Sequence, residues 1–166
     1  MKLLEAGTLP LFEILELDDL DLFHELATNA LLLWHKLHVA RKIADPFHKS
    51  QALIDLAPEL EFYMPEALSI IRDMELDIWK ANTLIAYTPY IEKWNYIEQV
   101  LEVTQSFSDP FYKSEVLITY LPQLCLQNHY LHYALLIAET IEDSYYRKDV
   151  LKKLSKLSSK KRVSSQ

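Results

Sequence analysis

The sequence predicts an all-α protein: a right-handed α-α superhelix, or solenoid, of about four helical hairpin repeats behind an N-terminal helical cap. Three observations carry this expectation. The chain has one glycine in 166 residues, and glycine is what tight hairpin turns and phosphate-cradling loops require. The stretch DPFHKSQALIDLAP (45–58) returns as DPFYKSEVLITYLP (109–122), with eight of fourteen positions identical. Apolar residues also recur at i, i+3, i+4 and i+7, as in Ala134, Ile137, Ala138 and Ile141, which is one stripe of an α-helix.

From the N-terminus, LPLFEILELDDLDLFHELA reads as one or two short amphipathic helices broken near Asp18 and Asp19. Residues 1–28 lie outside the repeat register and are expected to cap its apolar edge. Thr28 is placed to cap a helix starting at Asn29. The repeat domain then occupies residues 29–157. Setting Leu53, Leu84, Leu117 and Leu151 in register gives spacings of 31, 33 and 34. The aligned segments are DPFHKSQAL (45–53), LDIWKANTL (76–84), DPFYKSEVL (109–117) and DSYYRKDVL (143–151). Their fifth position is basic (Lys49, Lys80, Lys113, Arg147), and their third is aromatic or apolar (Phe47, Ile78, Phe111, Tyr145).

A helical stripe precedes each segment: 36–45, 67–76, 100–109 and 134–143. At the junctions, Asp45 or Asp109 can accept from free N–H groups of the next helix. Pro46 or Pro110 follows at the first helical position, where a missing N–H loses nothing. Pro58, Pro89 and Pro122 are expected to close the second helix of each pair, because proline disfavours helical geometry in the residue before it. A two-helix unit of this size cannot bury its stripe alone, so neighbours must stack. Residues 158–166 are expected to form a disordered basic tail.

This pattern resembles tetratricopeptide repeats and the related HEAT-like α-solenoids, in architecture more than in motif. The nearest match is Ile118, Leu121, Tyr130 and Ala134, followed by Ala138 and Ile141; Pro122 stands where the tetratricopeptide glycine would be, and the signature Trp is absent. The resemblance implies a superhelical protein-binding surface. The D-P-x-x-K-S-x-x-L segments are similar to those of bacterial helical-repeat proteins and imply a bacterial origin. Leu9, Pro10, Glu13, Ile14, Leu15, Asp21, Leu22, Trp34 and Leu37 resemble an F-box, with spacing too short before Asp21 and too long before Trp34. That likeness implies an adaptor delivered into a host cell. Small, acidic, all-helical chains also resemble the chaperones of type III secretion, whose glycine-bearing motifs are missing here.

The remaining observations narrow the function. Net charge is −7, divided into +7 over residues 147–166 and −14 over the rest. Such an acidic body repels phosphate backbones and suits a basic or amphipathic protein or peptide partner. Nucleic acid or membrane is expected only through the basic C-terminal helix. One cysteine, Cys125, excludes an intrachain disulfide, and its neighbour His129 comes without an orienting motif. His35/His38 and His129/His132 are helix-face pairs with no third ligand marked. The expectation is therefore no catalytic residue, cofactor, metal or small-molecule substrate. A poor secretory signal and the absence of a long apolar run point to a cytoplasmic chain.

All ten tyrosines fall between residues 63 and 146. Tyrosine joins large apolar area to one hydrogen bond. It serves either packing between units or a partner groove. The groove reading selects Tyr87, Tyr90, Trp94, Tyr96, Tyr130 and Tyr133.

Overall fold

A computed structural model describes residues 20–124 and 128–163, which are all-helical apart from their turns. The helices are α1 (Leu20–Lys42), α2 (Pro46–Leu56), α3 (Met64–Arg72), α4 (Asp77–Trp94), α5 (Ile97–Gln105), α6 (Pro110–Thr119), the single turn α7 (Leu121–Leu124), α8 (Asn128–Glu139) and α9 (Ser144–Val163). Two short 3-10 turns, Ala57–Glu59 and Glu61–Tyr63, join α2 to α3.

The turn chemistry works as the residues suggest. Asp45 accepts from His48 N at 2.8 Å, and Asp109 accepts from Phe111 N at 2.8 Å, each followed by proline in the first helical turn. Asp143 accepts from Tyr145 N and Tyr146 N at the start of α9. Helix α4 ends on Asn95, whose left-handed conformation (φ 59°) takes the place of the usual terminal glycine.

Three boundaries differ from expectation. Helix α1 runs unbroken through Thr28, which therefore lies inside the helix rather than at its start. Pro89 lies inside α4 rather than at its end. Proline has no N–H for the carbonyl four residues back, and the Thr88 hydroxyl donates to that carbonyl, Ile85 O, at 2.7 Å. Helix α9 continues to Val163, into the stretch expected to be a tail. The N-terminal cap and the F-box-like residues before Leu20 lie outside the described residues, as does Cys125.

The helices form two layers. One contains α2, α4, α6 and α9, each packed on the next; the other contains α1, α3, α5 and α8, packed likewise. Successive members of the two layers, α1/α2, α3/α4, α5/α6 and α8/α9, also pack together. Contacts advance in step along α2 and α4: Phe47 meets Trp79, Ser50 meets Thr83, and Leu53 meets Tyr87. These helices are therefore parallel, with their N-termini on one edge. Phe111 on α6 meets Tyr146 on α9 at the same edge.

The core lies between the layers. Met64, Ala67, Leu68 and Ile71 of α3, and Ile97, Val100, Leu101 and Thr104 of α5, follow the same helical stripe and are buried. Of the register leucines, Leu53, Leu84 and Leu117 are fully buried, but Leu151 only half so. The sixth position of the aligned segments behaves similarly. Ser50, Ala81 and Ser114 are small and buried, Ser50 against Thr83 of the following helix, whereas Lys148 on α9, which no described helix follows in its layer, is exposed.

Tyrosine hydroxyls tie the layers along the chain. Tyr63 donates to Ala30 O, Tyr87 to Leu53 O, Tyr96 to Glu61 O and Tyr120 to Leu84 O, spanning 33, 34, 35 and 36 residues. Two acceptors are the carbonyls of the register leucines. Burial pushes the Tyr87 and Tyr120 hydroxyls well above the ordinary phenol range, so both stay protonated donors.

Candidate protein-interaction surface

The six residues of the expected groove do not form one surface. Tyr87 is fully buried and Tyr130 nearly so. Tyr87 sits three residues after Leu84, where α4 faces α2, and its hydroxyl reaches Leu53 O at 2.8 Å. Tyr130 packs into the core from the first turn of α8. Neither side chain lies on the surface of the folded chain, unlike the expected groove.

Tyr90, Trp94, Tyr96 and Tyr133 are half-buried. Tyr90 stacks on Trp94 at 5.5 Å, and the Lys93 ammonium lies 5.3 Å from the Trp94 ring. The Trp94 indole N–H is buried and meets no acceptor among the described residues. Tyr96 follows in the α4–α5 turn, with its hydroxyl on Glu61 O at 3.0 Å. Burial, then the Glu61 charge, raises its pKa. Tyr133 belongs elsewhere: it donates to Gln105 Oε1 on α5 at 3.3 Å. Its pKa is raised by burial, then by Glu102 and Glu98. Three of the six thus gather near the end of α4, and their hydroxyl and ring contacts are partly spent within the chain.

A more regular surface runs along the edge where α2, α4, α6 and α9 begin. The third position of every aligned segment is a large apolar side chain left in solvent: Phe47 is 47 % exposed, Ile78 37 %, Phe111 41 % and Tyr145 74 %. Phe47 packs edge-on against Trp79 of the next segment at 5.1 Å, and Phe111 against Tyr146 at 5.6 Å. Phe47 also meets His48 at 5.2 Å and Phe111 meets Tyr112 at 5.1 Å, yet both stay exposed. Tyr145 belongs to the last segment, and correspondingly it is the most exposed of the four. Leu76 adds a further exposed apolar side chain beside Ile78.

The recurrence at this position was visible in the sequence. Its exposure was not, because an aromatic at a helix start packs equally well inward or along an edge.

Beneath the edge lies a charged cluster. Asp77 is buried; its Oδ2 accepts from Ser108 N (2.7 Å), Ser108 Oγ (2.9 Å) and Asp109 N (2.7 Å), and its Oδ1 lies 3.3 Å from Lys80 Nζ. Burial alone would raise the Asp77 pKa. The hydrogen bonds from Asp109, Ser108 and Lys80 outweigh burial and hold it below the usual carboxylate value. Lys80 also lies 5.8 Å from the Phe107 ring. Lys113 is buried without an ion pair among the described residues, and burial lowers its pKa against the opposing fields of Asp77 and Glu142. Arg147 instead donates to Ile141 O at 2.9 Å. At the recurring basic position, Lys80 and Arg147 thus contact groups at the turns, and neither Lys80 nor Lys113 is offered to solvent.

Among the described residues, no three His, Cys, Asp or Glu side chains come together as metal ligands, and no helix is long and apolar enough to cross a membrane. Compared with protein-family models, curated proteins and solved structures, the chain matches none.

Proposed function

We propose that this chain is a non-catalytic protein-interaction scaffold: an α-solenoid of about four helical hairpins, similar in architecture to tetratricopeptide and HEAT-like arrays, that holds a basic or amphipathic segment of a partner protein. The observation that carries this reading is the row Phe47, Ile78, Phe111 and Tyr145, exposed at one register position in every aligned segment. Single exposed apolar residues need no explanation, but an aligned series of them marks an interaction surface. Inter-segment packing of Phe47 and Phe111 still leaves both side chains exposed. The binding surface in this reading is the helix N-terminal edge, with Tyr90, Trp94 and Tyr96 as a separate aromatic group near the opposite end of α4.

The test is partner capture followed by reconstitution of the binary complex from purified proteins. Three full-length chains are compared: the unaltered one, Phe47→Ala/Phe111→Ala/Tyr145→Ala, and Tyr90→Ala/Trp94→Ala. The edge variant is expected to lose the reconstituted partner by at least about tenfold in Kd, since aromatic anchors dominate such interfaces. Retention by the edge variant, with loss in the Tyr90/Trp94 variant, would move the site to the far end of α4. Circular dichroism and thermal unfolding of all three establish that the comparison is between folded proteins.

A further inference from the structure

Resting on that scaffold reading, we infer that the edge takes an extended segment of polyproline type, with an apolar side chain at every third residue and Arg or Lys between.

Charge is the first argument. Asp45, Asp109 and Asp143 stand beside the row, all exposed. Each uses Oδ1 for its helix cap, and Asp45 Oδ1 also meets His48 Nδ1 at 2.7 Å, while Oδ2 of each takes no hydrogen bond among the described residues. Helix α4 begins differently, since Asp77 is turned inward, but exposed Glu75 and Leu76 precede it. Some bases near the edge are paired or buried, while half-buried Lys49 and Arg147 have no acidic partner among the described residues. Lys80 and Lys113 are buried, Arg72 lies 3.7 Å from Asp73, and Arg41 pairs with Glu66 at 2.9 Å. Exposed Lys42 and Lys148 sit at the two ends of the row. Each helix start thus offers one apolar side chain and one carboxylate, a pattern complementary to alternating apolar and cationic groups.

Spacing is the second argument. Packed helices lie about 8–10 Å apart, so the row should repeat at that interval. A polyproline helix returns a side chain to the same face every three residues, after about 9 Å. A β-strand returns one every two residues, after about 6.7 Å, and falls out of step by the second helix. An α-helix returns after seven residues, about 10.5 Å, and drifts past the row over its full length. Preformed polyproline segments also lose little entropy on binding, and aromatic faces are their usual support.

The probe is a fluorescent synthetic peptide of about 12 residues repeating Leu-Arg-Pro, four turns of the polyproline form. Comparators replace Arg by Glu, shuffle the residue order, or omit proline and place Leu at every seventh position. Binding to the full chain is read by anisotropy at two salt concentrations. The Leu-Arg-Pro peptide is expected to bind tightest and to weaken with salt. The triple variant Asp45→Asn/Asp109→Asn/Asp143→Asn keeps the caps, since asparagine caps helices as well as aspartate does. It should nonetheless weaken binding by about tenfold. Phe47→Ala/Phe111→Ala/Tyr145→Ala should remove binding. Equal or tighter binding of the acidic, shuffled or helical comparator overturns the inference. Silence of every peptide, while a reconstituted partner still needs the edge, overturns the ligand class and leaves the scaffold reading standing. Silence together with edge-independent partner binding removes both.

Discussion

Replacing Asp77 with alanine is expected to lower the unfolding free energy by about 3–5 kcal/mol, the range for breaking a buried charge pair from one side. The carboxylate ties the start of α4 to the α5–α6 turn. It accepts from Ser108 and Asp109 in the α5–α6 turn and faces Lys80 one turn along its own helix. Alanine leaves the Lys80 ammonium buried without its counter-ion and two turn N–H groups without an acceptor. The buried ammonium carries the larger desolvation penalty, because Ser108 and Asp109 are exposed enough for water to relieve part of the loss at the turn. Asp77→Asn keeps an acceptor oxygen for the turn and should lose less than alanine.

The effect carries a pH signature. The folded pKa of Asp77 lies below its ordinary value of 3.8. Its contribution is therefore present above that value and is lost as pH falls through the lower, folded pKa. Urea unfolding at neutral pH and again between about pH 4 and pH 2 should show the acid-side loss in the unaltered chain and less of it in the alanine variant. A change below about 1 kcal/mol at neutral pH would mean the turn is held by other contacts.

Leu84→Ala should destabilise the chain by about 2–5 kcal/mol, while the register-equivalent Leu151→Ala should cost about 1 kcal/mol or less. Leu84 is fully buried, and its carbonyl receives the Tyr120 hydroxyl from the following helix of the layer. A void there cannot close without disturbing α2, α4 and α6 together. Leu151 is only half-buried on α9, where the small buried residue of the earlier segments is replaced by Lys148. Chemical denaturation of the two variants measures the contrast directly. Equal losses would contradict the arrangement in which each aligned segment is sealed by the next.

Much of the fold can be read from local chemistry. The two Asp-Pro-Phe turns announce a cap and a first helical position, and both residues do that work. The interior stripes of α3 and α5 also follow directly from their spacing. What resisted reading depended on the facing helix. Pro89 looks like a terminator until Thr88 is seen to satisfy the carbonyl that proline abandons. Tyr87 looks like an interface residue until α2 supplies a main-chain acceptor at the reach of its hydroxyl.

The candidate surface was half legible. The recurrence of Phe47, Ile78, Phe111 and Tyr145 is plain in the sequence. Their shared exposure comes from parallel packing of α2, α4, α6 and α9, which places the same position of every segment on one edge. Asp77 shows the reverse: it stands where proline stands in the first and third segments, and nothing local indicates that its partners lie 31 and 32 residues away.

The most direct measurement is amide shift mapping of the isotope-labelled full chain titrated with the Leu-Arg-Pro peptide. The account predicts that the perturbed amides gather at the four helix starts, residues 45–48, 76–79, 109–112 and 143–146. Perturbations centred on Tyr90, Trp94 and Tyr96, or along the basic face of α9 around Lys152, would contradict it.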